Sequence, residues 1–366
     1  MASNNSTSIT QESIRQRLST VCDPVLERSI VQSGQLDSIH VDSTAIRITV
    51  DLISPGYPKK DQLDTAIRSA LSDLELPLHI QYGLKIPHKP ARQDLNRLPT
   101  VKNVIAVAAG KGGVGKSTLS VNLALSLQAL NAQVGILDAD IYGPSVPKML
   151  GALSRASNKS EDGTRISPAI YRNMPVMSVE FFVEMGRAVI WRGPMIHKLL
   201  QQFLEDVEWG ELDYLIVDMP PGTGDAQLSL CQLIPITAGL IVTTPQEVAL
   251  MDVRKAADMF HKLDTPVVGV VENMSHYQCP NCGHQDAIFA SGGGRRLAEE
   301  LSVPLLGQLP IDTRVSHGGE SGQPIVVASP GSPHAKVLRE VAAQTAMHCA
   351  RLSASGPRRS TQLKTI

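Results

Sequence analysis

The sequence predicts a doubly wound, mostly parallel α/β domain preceded by a small α+β domain, and three observations carry that expectation. From residue 103 onward, near-continuous apolar runs alternate with helical stretches, and strands without polar alternation are covered on both faces, as in a parallel sheet. A glycine-rich turn joins the first of these runs to an apolar helix. Before residue 85, by contrast, the segment Ala45–Leu52 alternates, which is the mark of a half-buried sheet.

Residues 8–85 form the small domain. It has an opening helix, the strand Ala45-Ile-Arg-Ile-Thr-Val-Asp-Leu52 with Ile46, Ile48, Val50 and Leu52 on one side, and a second helix from about Lys60 to Leu74. Such a module is too small to house a nucleotide by itself. Residues 86–100 are polar and carry three prolines, so they read as a linker. The larger domain, 101–352, offers strands at Val104–Ala109, Val134–Leu137, Tyr214–Val217, Leu240–Thr243, Val267–Val271 and Leu305–Leu309. A ligand of such a sheet belongs at the strands' C-terminal edge. Residues 353–366 are polar and basic, with Arg358 and Arg359, and read as a disordered tail.

Composition narrows the function classes. The chain has 366 residues, 42% hydrophobic, and a formal net charge of −1, so no basic surplus points to nucleic acid. No apolar run approaches the ~20 residues of a membrane span. The Ser/Asn-rich start lacks an apolar core, and only Arg15 and Arg17 bring positive charge to the first twenty residues, so a cytoplasmic, bacterial protein is expected. Five scattered cysteines suit a reducing compartment rather than a disulfide framework.

Gly110-Lys-Gly-Gly-Val-Gly-Lys-Ser117 follows the first strand and leads into the helix Leu119–Leu130. Glycines let such a loop wrap so that backbone N–H groups face phosphate oxygens, and the helix N-terminus adds positive potential. In this pattern Lys116 reaches the β/γ-phosphates and Ser117 ligates Mg²⁺. Asp138 and Asp140, in Leu137-Asp-Ala-Asp-Ile-Tyr-Gly-Pro-Ser145, follow the second strand, and Asp218 ends the next strong one. Asp218 is expected to hold the Mg²⁺ shell. Asp138 or Asp140 would position the attacking water or reach the metal shell, with capping or loop hydrogen bonding as the plainer reading.

Cys279 and Cys282 lie in Cys-Pro-Asn-Cys-Gly-His284. Two thiolates three residues apart grip a soft metal or an iron–sulfur cluster from one side, and a second copy of the chain across a two-fold axis would complete four ligands. A zinc site using four sulfurs, or two with His276 and His284, is a second reading, and a redox CxxC a third. Cys231 and Cys349 fall in helical stretches and read as packing residues. Cys22, at a turn before Asp23-Pro24, is read as a candidate for reactivity or cluster contact. His197, His261 and His317 read as structural or solvated, and Trp191 and Trp209 as core or interface anchors.

Lys111 makes the loop resemble the deviant signature K-G-G-x-G-K-[ST] of MinD/ParA-like P-loop NTPases. Together with Asp138–Ser145, Trp191-Arg-Gly-Pro-Met195, Asp218-Met-Pro-Pro-Gly-Thr-Gly-Asp225, Glu272-Asn-Met-Ser275 and the CxxC, the chain from about 10 to about 350 resembles the Mrp/ApbC iron–sulfur cluster carrier ATPases, and its first module a SufT-like domain. The resemblance implies nucleotide contacts from Gly110, Lys111, Gly112, Gly113, Val114, Gly115, Lys116, Ser117 and Thr118, with Asn273 and Pro310 lining the adenine pocket. It implies catalysis by Lys111 (across the dimer), Lys116, Asp140 and Asp218, with Ser117 and Asp218 on Mg²⁺ and Cys279 and Cys282 on a 4Fe-4S cluster. Implied partners are a second copy of the chain, a cluster scaffold or donor, and apo iron–sulfur proteins; neither membrane nor nucleic acid is expected. SufT-like domains often carry a cysteine after Ser-Pro-Gly, where this chain has Tyr57. The rival reading is a ParA/MinD-like nucleotide switch with a structural zinc CxxC, although the tail lacks the apolar stripe of a membrane helix.

Overall fold

The computed structural model describes residues 9–88, 97–151, 165–182, 193–222, 225–279 and 281–354. Trp191, linker residues 89–96 and the tail from 355 onward therefore lie outside the described residues. The chain divides into two compact units, 1–87 and 88–366.

The first unit runs α1 (Gln11–Leu18), β1 (Leu36–Val41), β2 (Ile46–Leu52), α2 (Lys60–Ala70) and β3 (Leu78–Leu84). Thr10 caps α1 with a reciprocal bond to Ser13. β2 is central, antiparallel to β1 and parallel to β3. Ile46, Ile48 and Val50 are buried along with Ile14, Leu18, Leu63 and Ile67, as the alternation requires. Two of the three strands were not anticipated. A register shift between Leu36 and Ser38 breaks the period-two pattern of β1. α2 ends at Ala70, short of Leu74.

The second unit carries β4 (Val101–Ala108), α3 (Lys116–Ala129), β5 (Val134–Asp138), α4 (Val146–Met149), β6 (Ala169–Tyr171), β7 (Met174–Ser178), α5 (Gly193–Glu205), β8 (Leu212–Asp218) and α6 (Asp225–Leu233). It continues through β9 (Ala238–Thr243), α7 (Glu247–Lys262), β10 (Val267–Gln278), β11 (Gln285–Asp286), α8 (Gly293–Glu300), β12 (Leu305–Ile311), α9 (Thr313–Ser321), α10 (Ile325–Ala328) and α11 (Pro333–Ala354). Strand order is β11-β10-β9-β4-β8-β5-β7-β6, with β12 also on β10. Among the described residues of this sheet, only the β6–β7 and β10–β11 pairs are antiparallel, so the doubly wound, mostly parallel sheet expected from the apolar runs is what forms. Arg172 and Asn173, both with positive φ, make the two-residue turn between β6 and β7.

Residues of β4 alternate between two cores. Val104, Ala106 and Ala108 pack with Phe203, Trp209, Leu215 and Phe260, while Ile105 and Val107 are buried on the opposite face, where α3 lies against the sheet. Trp209 is 4% exposed and donates its indole N–H to the Phe203 carbonyl at 2.9 Å. Leu98 is also buried in the first of these cores, so the chain is pinned to the larger unit before the first strand begins. All six strands expected from the apolar runs of this unit form, and each is longer than its run. β4 starts at Val101, and β10 continues past its apolar run to Gln278.

Candidate functional site

β4 and α3 are joined by a turn in which Gly113 and Gly115 take left-handed backbone conformations, φ +80° and +91°. A Cβ on Gly115 would fall 2.1 Å from Asn273 Nδ2, and one on Gly110 would fall 2.4 Å from the Val253 backbone nitrogen in α7. Glycine is therefore demanded at Gly110 by the close approach of the α7 backbone, and at Gly115 by its left-handed conformation together with the Asn273 side chain. The loop opens into a cavity of about 830 Å³ that Lys111, Gly112, Gly113, Gly115, Lys116, Ser117 and Thr118 line. Gly110 and Val114 do not line it; Gly110 backs onto α7, and Val114 is buried beneath the loop.

Strand ends bring the acidic groups to the same place. Lys116 Nζ lies 2.8 Å from Asp218 Oδ2 and 3.3 Å from Asp140 Oδ2. Burial works against the Lys116 ammonium, but the Asp218 carboxylate beside it, with Asp140 and Asp138 farther off, outweighs burial and raises its pKa. Ser117 Oγ donates to Asp218 Oδ2 at 2.6 Å, and Ser120 Oγ to Oδ1 at 2.6 Å. The hydroxyl and carboxylate oxygens of Ser117 and Asp218 form the hard donor pair that suits Mg²⁺. Ser120 carried no motif, yet its i+3 spacing from Ser117 puts both hydroxyls on one helix face.

Asp138 is fully buried and braces the following loop. It accepts from the Asp140 backbone N–H at 3.2 Å, from those of Ser145 and Val146 at 3.0 and 3.1 Å, and from Ser178 Oγ at 3.2 Å. Burial, then the nearby Asp218 carboxylate, pushes its pKa from 3.8 up to about 7. The folded state therefore holds this proton more tightly than the unfolded chain, and the contribution to stability falls as pH rises from 3.8 to about 7. Asp138→Asn removes that titration. We expect the thermal midpoint of nucleotide-free protein, followed from about pH 5 to about pH 8, to decline less in the variant; identical slopes would contradict the assignment.

Across the cavity from the loop lie Asn273, Met274, Phe289, Pro310, Asp312 and His334. Asn273 Nδ2 donates to the Val114 carbonyl at 2.9 Å, so its amide nitrogen straps β10 to the phosphate loop instead of standing free for a base edge. Asp312 caps α9 and pairs with Arg314 at 2.6 Å. His334 is 3% exposed and its Nδ1 has no hydrogen-bond partner among the described residues. Burial depresses its pKa and Asp312 opposes the shift. Lys111 also lines the cavity and forms no ion pair among the described residues.

Cys279 and Cys282 sit where β10 turns back into β11. The Cys279 N–H donates to the His284 carbonyl at 2.9 Å, and the Gly283 N–H returns to the Cys279 carbonyl at 2.9 Å, with Gly283 at φ +71°. Cys282 is exposed and Cys279 partly so. Backbone N–H groups of Cys282 and Asn281, then the Cys282 side chain, lower the Cys279 thiol pKa, which favours the ligating thiolate. His276 Nδ1 lies 3.0 Å from Ser275 Oγ. Among the described residues no three His, Cys, Asp or Glu side chains gather around a metal position, so the two-sulfur, two-histidine zinc arrangement is not assembled within one chain.

Cys231 and Cys349 are buried, and burial pushes Cys231 up to about 12. His197, His261 and His317 are exposed. In the first unit Cys22 is exposed, while Tyr57 is buried and donates its hydroxyl to the Asp23 carboxylate at 2.8 Å. Gln35 and two backbone N–H groups complete the shell of Asp23. Tyr57 thus fills its loop with a phenol hydrogen-bonded to a carboxylate.

A parallel sheet whose first strand feeds a glycine loop and helix, with a loop lysine held by carboxylates from two neighbouring strand ends, defines a phosphate-loop nucleoside triphosphatase. Residues 100–346 match the family model described as NUBPL iron-transfer P-loop NTPase, and residues 11–77 match that of an iron-sulfur cluster assembly protein. The chain belongs to the iron-transfer P-loop NTPase family. It is 45% identical over 335 residues to the iron-sulfur cluster carrier protein of Deinococcus radiodurans, covering 90% of this chain and 93% of that one. The carrier of the same name from Synechocystis is 40% identical over 343 residues, covering 92% and 97%. Among solved structures, a nucleotide-binding protein from Archaeoglobus fulgidus in complex with ADP aligns with a TM-score of 0.56 and 34% identity, over 68% of this chain and 96% of that one.

Proposed function

We propose that this chain is an ATP-hydrolysing carrier that assembles a 4Fe-4S cluster between two copies of itself, on Cys279 and Cys282 of each, and passes it to apo iron–sulfur proteins. The observation that carries the reading is the exposed thiol knuckle. It supplies two sulfurs and no third ligand among the described residues, so a four-thiolate site calls for a second chain. The names of the relatives in Deinococcus and Synechocystis support the same cargo.

ATP occupies the 830 Å³ cavity with its phosphates on the loop 110–118. Lys116 transfers its ammonium from Asp218 and Asp140 to the β/γ-phosphates, leaving Asp218 and Ser117 to hold Mg²⁺, which screens the phosphate charge. Asp140, next to Lys116, orients the attacking water, and Lys111 reaches the nucleotide of the second copy. Pro310 and Asn273 wall the adenine end. Nucleotide binding biases the arrangement of the dimer, and hydrolysis removes that bias. The cluster comes from an assembly scaffold or donor, and the protein acts in the cytoplasm, without membrane or nucleic acid. No helix of the described residues is long and apolar enough to cross a membrane.

Transfer is the direct test. Anaerobically reconstituted protein, mixed with an apo-acceptor that needs a 4Fe-4S cluster for activity, is expected to activate it, and a chelator added before the acceptor should not outcompete transfer. An acceptor that gains activity no faster than from free iron and sulfide would refute the carrier reading.

A further inference from the structure

The two sites share one structural element. Going up β10, Glu272 is clamped by the Gly294 N–H and by Gln308 Nε2. Asn273 straps the phosphate loop, and Met274, at φ +54°, turns into the nucleotide cavity wall. Ser275 donates to the Leu309 carbonyl at 3.1 Å. The strand ends at Gln278, one residue before Cys279. The return leg pairs Gln285 and Asp286 with Gln278 and Tyr277, then delivers Phe289 into the same cavity wall. Four residues lie between Met274 and Cys279, and the five steps of extended chain span roughly 17 Å. The knuckle is therefore the tip of a short hairpin, both of whose legs are anchored in the nucleotide cavity.

We infer that Phe289 and Asn273 are positioning residues that transmit nucleotide occupancy to the Cys279/Cys282 knuckle within a single chain. The inference deepens the carrier reading and rests on it for its biological meaning. A nucleotide filling the cavity presses on Met274 and Phe289, one on each leg, while the Asn273 strap keeps β10 in step with the phosphate loop. The hairpin tip is backed by few contacts of its own: residues 281–288 are exposed throughout. Its ordering is thus set at its base, and a change there alters the exposure of both thiols. Movement of the knuckle within one chain comes in addition to any rearrangement of a dimer, and it gives each subunit a nucleotide-dependent grip on its half of the cluster.

The test uses cluster-free, reduced full-length protein, dilute enough that light scattering reports single chains, with ADP as the nucleotide so that no γ-phosphate draws Lys111 of a second copy. The rate of N-ethylmaleimide addition at Cys279 and Cys282 is read by mass spectrometry, with exposed Cys22 as the internal reference. Saturating ADP is expected to slow labelling of the pair by about fivefold relative to Cys22, the low end of ordinary coupling between sites. Phe289→Ala is expected to bring that ratio close to one at ADP concentrations that saturate the variant, and Phe289→Leu to restore part of it. A two-glycine insertion between Ala287 and Ile288 slackens the return leg without substituting any cavity side chain, and it should abolish the response likewise. A merely structural role for Phe289 would change the absolute labelling rate but not its dependence on ADP. The inference is overturned if wild-type labelling ignores ADP, or if the insertion variant binds ADP and keeps the full response. Iron and sulfide measured on the reconstituted wild type in parallel separate this from a failure of the carrier reading, which would appear as a chain that holds no cluster whatever its thiols do with ADP.

Discussion

Lys116→Ala is expected to lower ATP hydrolysis by at least about a hundredfold, the scale on which a preorganised charge aimed at transition-state oxygens is lost. The side chain is 7% exposed and held by Asp218, whose carboxylate is fully buried, and by Asp140. These partners pre-position the ammonium at the loop, so little reorganisation remains when phosphate arrives. The same geometry predicts a second effect, on the nucleotide-free and Mg²⁺-free protein. Without Lys116, the carboxylates of Asp218 and Asp140 lose their cation, and breaking a buried pair from one side costs about 3–5 kcal/mol. Urea denaturation near neutral pH should show that loss. A variant that hydrolyses ATP within a few-fold of wild type, or that unfolds at the wild-type midpoint, would remove Lys116 from the centre of the site.

Cys279→Ala/Cys282→Ala is expected to abolish cluster retention while leaving ADP affinity within about threefold of wild type. Cys279 and Cys282 are no part of the cavity lining, and Cys282 and its flanking residues are exposed, so substitution there removes ligands without opening a core. The contrast matters because β10 and its return leg join the thiols to the nucleotide cavity without placing them in it. Iron analysis after desalting and an ADP titration on the same preparation check both halves. Iron retained by the double variant would point to ligands elsewhere; ADP affinity lost along with the cluster would mean that the knuckle is part of the nucleotide site itself.

The phosphate end of the site was legible in the sequence because its chemistry is local. Gly113, Gly115, Lys116 and Ser117 must be neighbours in the chain to wrap one anion, so spacing alone identifies them. Asp138 and Asp218 were legible for a related reason: each ends an apolar run, and a carboxylate at the tip of a buried strand demands a partner. The far end of the cavity had no such signal. Met274, Phe289, Asp312 and His334 arrive from separate elements, and nothing in the order of residues announces that they meet. The same holds for β10, whose extension past Val271 depends on partners remote in sequence. Glu272 and Asn273 look like the polar end of a strand, yet they are bonded to Gly294, Gln308 and Val114, and those bonds allow the strand to run on to the thiols. Asn273 shows the limit most directly. An amide at a strand end suits a nucleobase edge equally well, and only the Val114 carbonyl 2.9 Å away reveals its nitrogen as a strap.

Tyr57 makes the opposite point in the first unit. Its position after Ser54-Pro-Gly was visible as a departure from a thiol-bearing loop, but the reason a phenol fits there lies in Asp23, thirty-four residues earlier. A buried carboxylate with a full set of donors, Tyr57 among them, gives that loop a hydrogen-bonded core in place of a ligand.

The claim that two chains share one cluster is tested most directly by iron and acid-labile sulfide content together with native mass on the anaerobically reconstituted protein. The account predicts about four iron and four sulfide per two chains, with the cluster travelling in the dimer fraction and absent from single chains. A cluster held with full stoichiometry by single chains, or tightly bound zinc with no sulfide, would contradict it.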